Sequence, residues 1–325
     1  MGKTLVALIG VALLAHAELG VAIEWKERAH SAYLAGRYAE AEAGYRSALE
    51  AFGAERCLSR AVAAENLGVA LRAQGKTTEA RPVMEEATLE ITDLAGSESP
   101  EALLARSNLA ALYWSQGDSA KASKLSRTLL DLVDDRVAVT LYGNLAAASI
   151  GLGELDQAEA DARHGLELAR RIFAAGDIRQ APLMNNLAQV CRFTGRYLEA
   201  EALYREAIRI WETALGRDHP DLARGLMNLA AFYHERGREA GAEQLYLRAG
   251  AILENADPGL ALVARNELAD VLRGELRYTE AKKLARTTLA QMEATLPGGD
   301  PRLVRALQNW ARLEAEVHPK AKSRT

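Results

Sequence analysis

Cysteine is almost missing: Cys57 and Cys191 are the only two in 325 residues, too few for a disulfide framework. They sit in repeat units three apart. Helices pack roughly 8–10 Å axis to axis, so a bridge needing about 7 Å or less between Cα atoms is excluded. Both are expected as small core or half-buried residues. Phenylalanine occurs four times, and the eight prolines fall mostly between helical segments. Alanine, leucine, glutamate and arginine dominate instead, a helical usage with little strand content. Neither charge sign accumulates: the net charge is −4 with both signs interspersed. That leaves no basic field for a phosphate backbone and argues against nucleic acid as a partner.

Motifs for catalysis are lacking too. His30, His164, His219, His234 and His318 are scattered without the His-x-x-x-His spacing of a metal site. No Gly-x-Ser-x-Gly elbow occurs. Met1-Gly-Lys-Thr4 lacks the upstream glycine and strand of a phosphate loop. The expectation is a protein that is not an enzyme and has no cofactor and no metal.

One long apolar run exists, at the N-terminus. Lys3 precedes Thr4 to Ala15, and Ala15-His16-Ala17 stands just before Glu18. A positive residue, about a dozen apolar ones and an Ala-x-Ala exit describe a secretory signal over residues 1–17, cleaved after Ala17. The alternative is an apolar first helix that caps the stack of repeats. The run meets His16 and Glu18 too early for a membrane span, which needs about 20 apolar residues. The expected location is therefore periplasmic or secreted, or cytoplasmic if the segment stays.

The chain also repeats itself. Asn66-Leu67-Gly68 is followed by Gly75 and Ala80; Asn108-Leu109-Ala110 by Gly117 and Ala122; Asn144-Leu145-Ala146 by Gly153 and Ala158. The same order returns at Asn186, Gly195 and Ala200, and again at Asn228, Gly237 and Ala242. Gly36, Gly75, Gly117, Gly153, Gly195 and Gly237 step by 39, 42, 36, 42 and 42 residues. A period of this size means stacked supersecondary units, not one globular core. Each unit resolves into two amphipathic helices. In the fifth, Leu183, Leu187, Val190 and Cys191 make one stripe and Tyr197, Ala200, Leu203, Tyr204 and Ala207 the facing one. Gly195 sits where a left-handed backbone ends the first helix. In the seventh unit Leu276 stands in the glycine's place. Pro82 falls near the start of a second helix, where it is expected to be tolerated or to displace that start.

The Leu-Gly/Ala pair, aromatic, Gly, Tyr and Ala in this order resemble the tetratricopeptide repeat. The 42-residue step with Leu215-Gly-Arg-Asp-His-Pro-Asp-Leu-Ala223 resembles the longer subtype of kinesin light chains. The resemblance covers residues 20–318. It implies an all-α, right-handed α-solenoid of stacked helix-turn-helix repeats. Residues 18–318 would hold about seven helix pairs and a C-terminal capping helix whose Arg302, Arg305, Arg312 and Glu316 are solvated. Residues 319–325 would form a short basic tail.

Relatives of this family bind peptide segments in a concave groove lined by first helices. Counting back from each turn glycine at about 100° per residue gives the groove face. The candidates are Arg72, Trp114, Asn185, Gln189, Arg192, Phe193, Arg224, His234, Asn266 and Arg273. Small residues in the middle, Trp114 and Phe193 beside them and arginines further on suggest a peptide with an apolar anchor and some acidic character. The ladder Asn66, Asn108, Asn144, Asn186 and Asn228 lies at the groove edge. It would either hold a peptide backbone or bond neighbouring helices together. Tyr38, Tyr197 and Tyr278 recur at a packing position. The function implied is an interaction scaffold for a protein or peptide partner, or alternatively a sensory subunit that binds a signal peptide and changes curvature.

Overall fold

The computed structural model describes residues 19–296 and 300–317. The candidate leader 1–17, His318 and the tail 319–325 lie outside the described residues. Fifteen helices succeed one another with no strand among the described residues, an all-α repeat solenoid. Helix α1 (19–34) pairs with α2 (Tyr38–Phe52), α3 (Leu58–Ala73) with α4 (Thr77–Ala95), and α5 (Pro100–Ser115) with α6 (Ser119–Leu130). Then come α7 (Asp135–Leu152) with α8 (Leu155–Ile172), α9 (Gln180–Phe193) with α10 (Tyr197–Leu215), and α11 (Pro220–Glu235) with α12 (Glu239–Leu253). Helix α13 (Pro258–Gly274) pairs with α14 (Tyr278–Thr295), and α15 (Pro301–Val317) stands last. The chain divides into two compact units, Met1–Ala175 and Gly176–Thr325.

Local chemistry sets these boundaries. The six turn glycines all have left-handed backbones, with φ between 67° for Gly237 and 81° for Gly117. A residue with a β-carbon resists this conformation. Leu276 adopts it nonetheless, at φ 62°, so the seventh hairpin turns like the others but under strain. Helix starts are capped by short polar side chains. Ser99 Oγ accepts from Ala102 N, Asp134 Oδ1 from Arg136 N and Val137 N, and Asp257 Oδ1 from Leu260 N. His219 Nδ1 accepts from Asp221 N at 3.2 Å and caps α11, with Pro220 as the first helical residue. Helix α4 begins at Thr77 and runs straight through Pro82, so its start is not displaced.

Among the described residues the buried apolar side chains gather in successive clusters. Tyr45 of α2, Leu71 of α3, Met84 of α4 and Leu112 of α5 belong to one buried cluster, and Ala61, Ile91, Ala102 and Ala105 to the next. Each hairpin thus buries its apolar stripe on its neighbours alone. Packing is close enough to dictate residue size. A β-carbon on Gly68 would lie 2.1 Å from Met84 Cγ, so the Asn-Leu-Gly triplet keeps its glycine there. Cys57 is half-buried and Cys191 is buried, and neither forms a disulfide.

Within each unit the first helices run side by side. Helices α3, α5 and α7 approach one another to 8 Å or less between Cα atoms, as do α9, α11, α13 and α15. Among the described residues no two second helices come that close. First helices crowded together with second helices splayed apart make an inner face from the first helices of each unit.

Candidate functional site: the inner helix faces

In the first unit the inner face is apolar and partly open. Trp114, in the last turn of α5, is 45% exposed, yet its ring is anchored. Nε1 donates to the Ala147 carbonyl of α7 at 3.1 Å. Leu104 lies exposed on the same helix, and Ala111, Gly143, Ala147 and Ile150 are half-buried around it. Apart from Ile150, these half-buried residues beside the indole are small. Arg72 is half-buried on α3, with its Nε lacking a hydrogen-bond partner.

Beneath this face sits Glu65, 4% exposed. Its Oε1 accepts from Asn108 Nδ2 at 2.8 Å. Burial pushes its carboxyl up to about 7, against the opposing pull of the Asn108 hydrogen bond and the Arg72 charge.

The second unit's inner face is charged, and its charges are spent on one another. Arg192 of α9 reaches Glu235 of α11 at 2.8 Å. His234 stands 2.6 Å from Glu239 and 3.3 Å from Asp270 of α13. Arg273 binds Asp270 at 2.7 Å and Glu316 of α15 at 3.1 Å. The hydrogen bond with Asp270, joined by that with Glu239 and opposed by burial, raises His234 to about 9. Burial alone would raise Asp270, but the hydrogen bonds from His234 and Arg273 hold it well below the usual carboxylate range.

These contacts correct several expectations. Arg192, His234 and Arg273 are already neutralised, and Arg224 lies 3.1 Å from Asp221 and 3.6 Å from Asp257. A row of cations waiting for an acidic peptide is therefore not what this face offers. Asn185 and Asn266 are buried, Asn185 accepting from Asn228 and Asn266 donating to Glu267. Gln189 is half-buried, and Phe193 is exposed beneath the Arg192 guanidinium, 4.9 Å from its ring centre. The capping helix is not merely solvated: besides Glu316, its Arg305 reaches Glu267 at 2.8 Å. Of the tyrosines, Tyr38 is buried and Tyr278 half-buried, but Tyr197 is exposed with Arg236 stacked 4.1 Å over its ring.

Three asparagines of the ladder bond one helix to the next. Asn108 reaches Glu65, Asn144 Nδ2 donates to the Ser107 carbonyl at 3.4 Å, and Asn228 Nδ2 donates to Asn185 Oδ1 at 3.0 Å. Asn66 is half-buried and Asn186 is buried. A regularity missed in the sequence runs through these pairs. Asn108 with Glu65, Asn228 with Asn185, Arg192 with Glu235 and Arg273 with Glu316 are all 43 residues apart. That is one more than the 42-residue period, the offset at which adjacent first helices face each other. A search for complementary residues at period plus one would have found them.

The tetratricopeptide repeat model matches residues 59–135, 136–212 and 179–255. No curated protein matches the sequence. Solved structures share the fold. BtubC (BKLC) from P. vanneervenii is 20% identical, with 75% of this chain and 95% of that one covered and a TM-score of 0.51. PlcR from Bacillus thuringiensis, solved with the peptide PapR7 and DNA, is 15% identical, with 59% and 70% covered and a TM-score of 0.50. A Rap protein complexed with Competence and Sporulation Factor is 13% identical, with 94% and 99% covered and a TM-score of 0.55.

Proposed function

This chain belongs to the tetratricopeptide repeat family, and from that premise we propose that it is a protein-interaction scaffold. Its inner face in the first unit receives a partner segment bearing a large apolar side chain. The observation that carries this reading is Trp114: exposed to solvent, but with its indole already held by the Ala147 carbonyl. An aromatic group immobilised before binding loses little conformational freedom on contact, which is what makes such residues binding hot spots. Leu104 and the small residues of α7 supply the apolar surround. PlcR, a protein of similar fold, is known in complex with a peptide, which supports the reading by analogy of fold alone.

Peptides selected from a displayed random library against the whole chain would be measured by fluorescence anisotropy. Trp114→Ala is expected to weaken them at least tenfold. Leu247→Ala, at an exposed position of the second helix α12, is expected to leave them unchanged. Selected peptides that bind Trp114→Ala as tightly as the parent would overturn the assignment.

Export belongs to the same proposal, because the Ala15-His16-Ala17 exit marks a cleavage site. No described helix is long and apolar enough to cross a membrane. Mass spectrometry should find Glu18 at the mature N-terminus. An intact Met1 would refute export while leaving the inner-face reading intact.

A further inference from the structure

The outer side of the first unit holds a cleft that the peptide reading does not use. It lies between the second helices α4 and α6, with α5 as its floor, and has a volume of about 580 Å³. Sites for small molecules commonly have about 300–1,000 Å³, mostly apolar walls and a few placed polar groups.

The gap has a cause in sequence and register. Helix α6 spans only 12 residues, against 15 for its counterpart α12. Counted from the turn glycine, Thr92 and Thr128 occupy the positions held in the second unit by Glu212 and Arg248. There the two are joined by an ion pair of 2.8 Å that bridges α10 and α12. Ile208 and Trp211 also press onto Gly225 of α11. In the first unit both threonine hydroxyls turn back on their own helices: Thr92 Oγ1 donates to the Thr88 carbonyl and Thr128 Oγ1 to the Leu125 carbonyl. Nothing bridges, and the space stays open.

What lines that space is chemically one-sided. Leu109, Leu125, Tyr113 and the 73%-exposed Leu89 give an apolar wall. Arg106, Lys121 and Lys124 bring three cations, and no carboxylate lines the cleft among the described residues. Lys121 is paired with Asp118 at 3.0 Å. Arg106 and Lys124 have no ion-pair partner among the described residues. Arg106 takes the register position at which the second unit places buried Leu226.

Thr88 also lines the cleft, at the register where the second unit has the larger Ile208.

We propose that this outer cleft binds a small amphipathic carboxylate: an apolar chain or ring ending in one anionic group. The apolar body lies on Leu109, Leu125 and Tyr113. The carboxylate is met by Arg106 and Lys124. A neutral apolar ligand would leave two cations uncompensated, and a polar anion would leave the wall wet.

Isothermal titration of the full chain with decanoate, below its aggregation concentration, tests this. One saturable site is expected, with decanol bound at least tenfold more weakly. Arg106→Gln with Lys124→Gln should weaken decanoate at least tenfold. The thermal midpoint of that double variant should match the parent's, which separates lost binding from lost folding. Trp114→Ala should leave decanoate binding unchanged, so that failure here is distinguishable from failure of the inner-face reading. The absence of a saturable site, decanol binding as tightly as decanoate, or full affinity in the double variant would each overturn the proposal.

Discussion

The His234 imidazole places Nε2 3.3 Å from Asp270 Oδ2, joining first helices α11 and α13 of the second unit through a charged contact. Its other nitrogen stands 2.6 Å from Glu239 at the start of α12. One side chain thus ties three helices, and it does so only while protonated.

Stability of the second unit should therefore fall in mild alkali. His234 is raised from 6.5 to about 9 in the folded chain. Its contribution is complete below pH 6.5 and is lost as pH rises through 9. The loss is on the order of 3 kcal/mol. Urea unfolding at pH 6 and pH 9.5 would measure it, and His234→Gln should flatten the difference. An unchanged pH dependence in that variant would assign the effect to another group.

Glu65 acts in the same direction at lower pH, through burial instead of pairing. Its carboxyl is raised from 4.5 to about 7 by burial, so the fold prefers it neutral. Its stabilising influence is complete below pH 4.5 and is lost as pH rises through 7. Glu65→Gln keeps an acceptor for Asn108 and removes the buried charge. At pH 8 the variant should be more stable by about 2–3 kcal/mol, and at pH 4 the two chains should coincide. Chemical denaturation at both pH values decides.

Leu276 holds a left-handed backbone at φ 62° with its side chain 69% exposed. Leu276→Gly should relieve about 1 kcal/mol of strain, since little packing is surrendered. A thermal midpoint that drops instead would show that the leucine side chain contributes contacts worth more than the strain.

Asn228 and Asn185 bond side chain to side chain at 3.0 Å, with Asn185 buried. Asn228→Ala strands the carbonyl of Asn185 and should cost about 1–3 kcal/mol. The double replacement by leucine should recover part of that loss. A double-mutant cycle with no coupling would mean the ladder is spacing, not bonding.

Much of this architecture can be read from local patterns. Gly36 to Gly237 end their helices because a left-handed residue is needed there, and Ser99, Asp134 and Asp257 cap because free backbone amides demand acceptors. Trp114 is exposed and bonds to the Ala147 carbonyl of the next first helix. Arg192, Arg224 and Arg273 have partners, Glu235, Asp221 and Glu316, that consume the charge their spacing from the turn glycines suggested was free. Tyr197 shares a motif position with Tyr38 yet is exposed, with Arg236 stacked over its ring.

Period, turn sites and the order of hairpins were already written in the chain, because each rests on a condition local to a few residues: a positive φ, a cap, a stripe at three and four. Which charges cancel, and where α4 and α6 leave a gap, was settled only when helices met. Those outcomes depend on the lateral offset between neighbours and on how far two side chains reach across it. Thr92 and Thr128 cannot span a distance that Glu212 and Arg248 close.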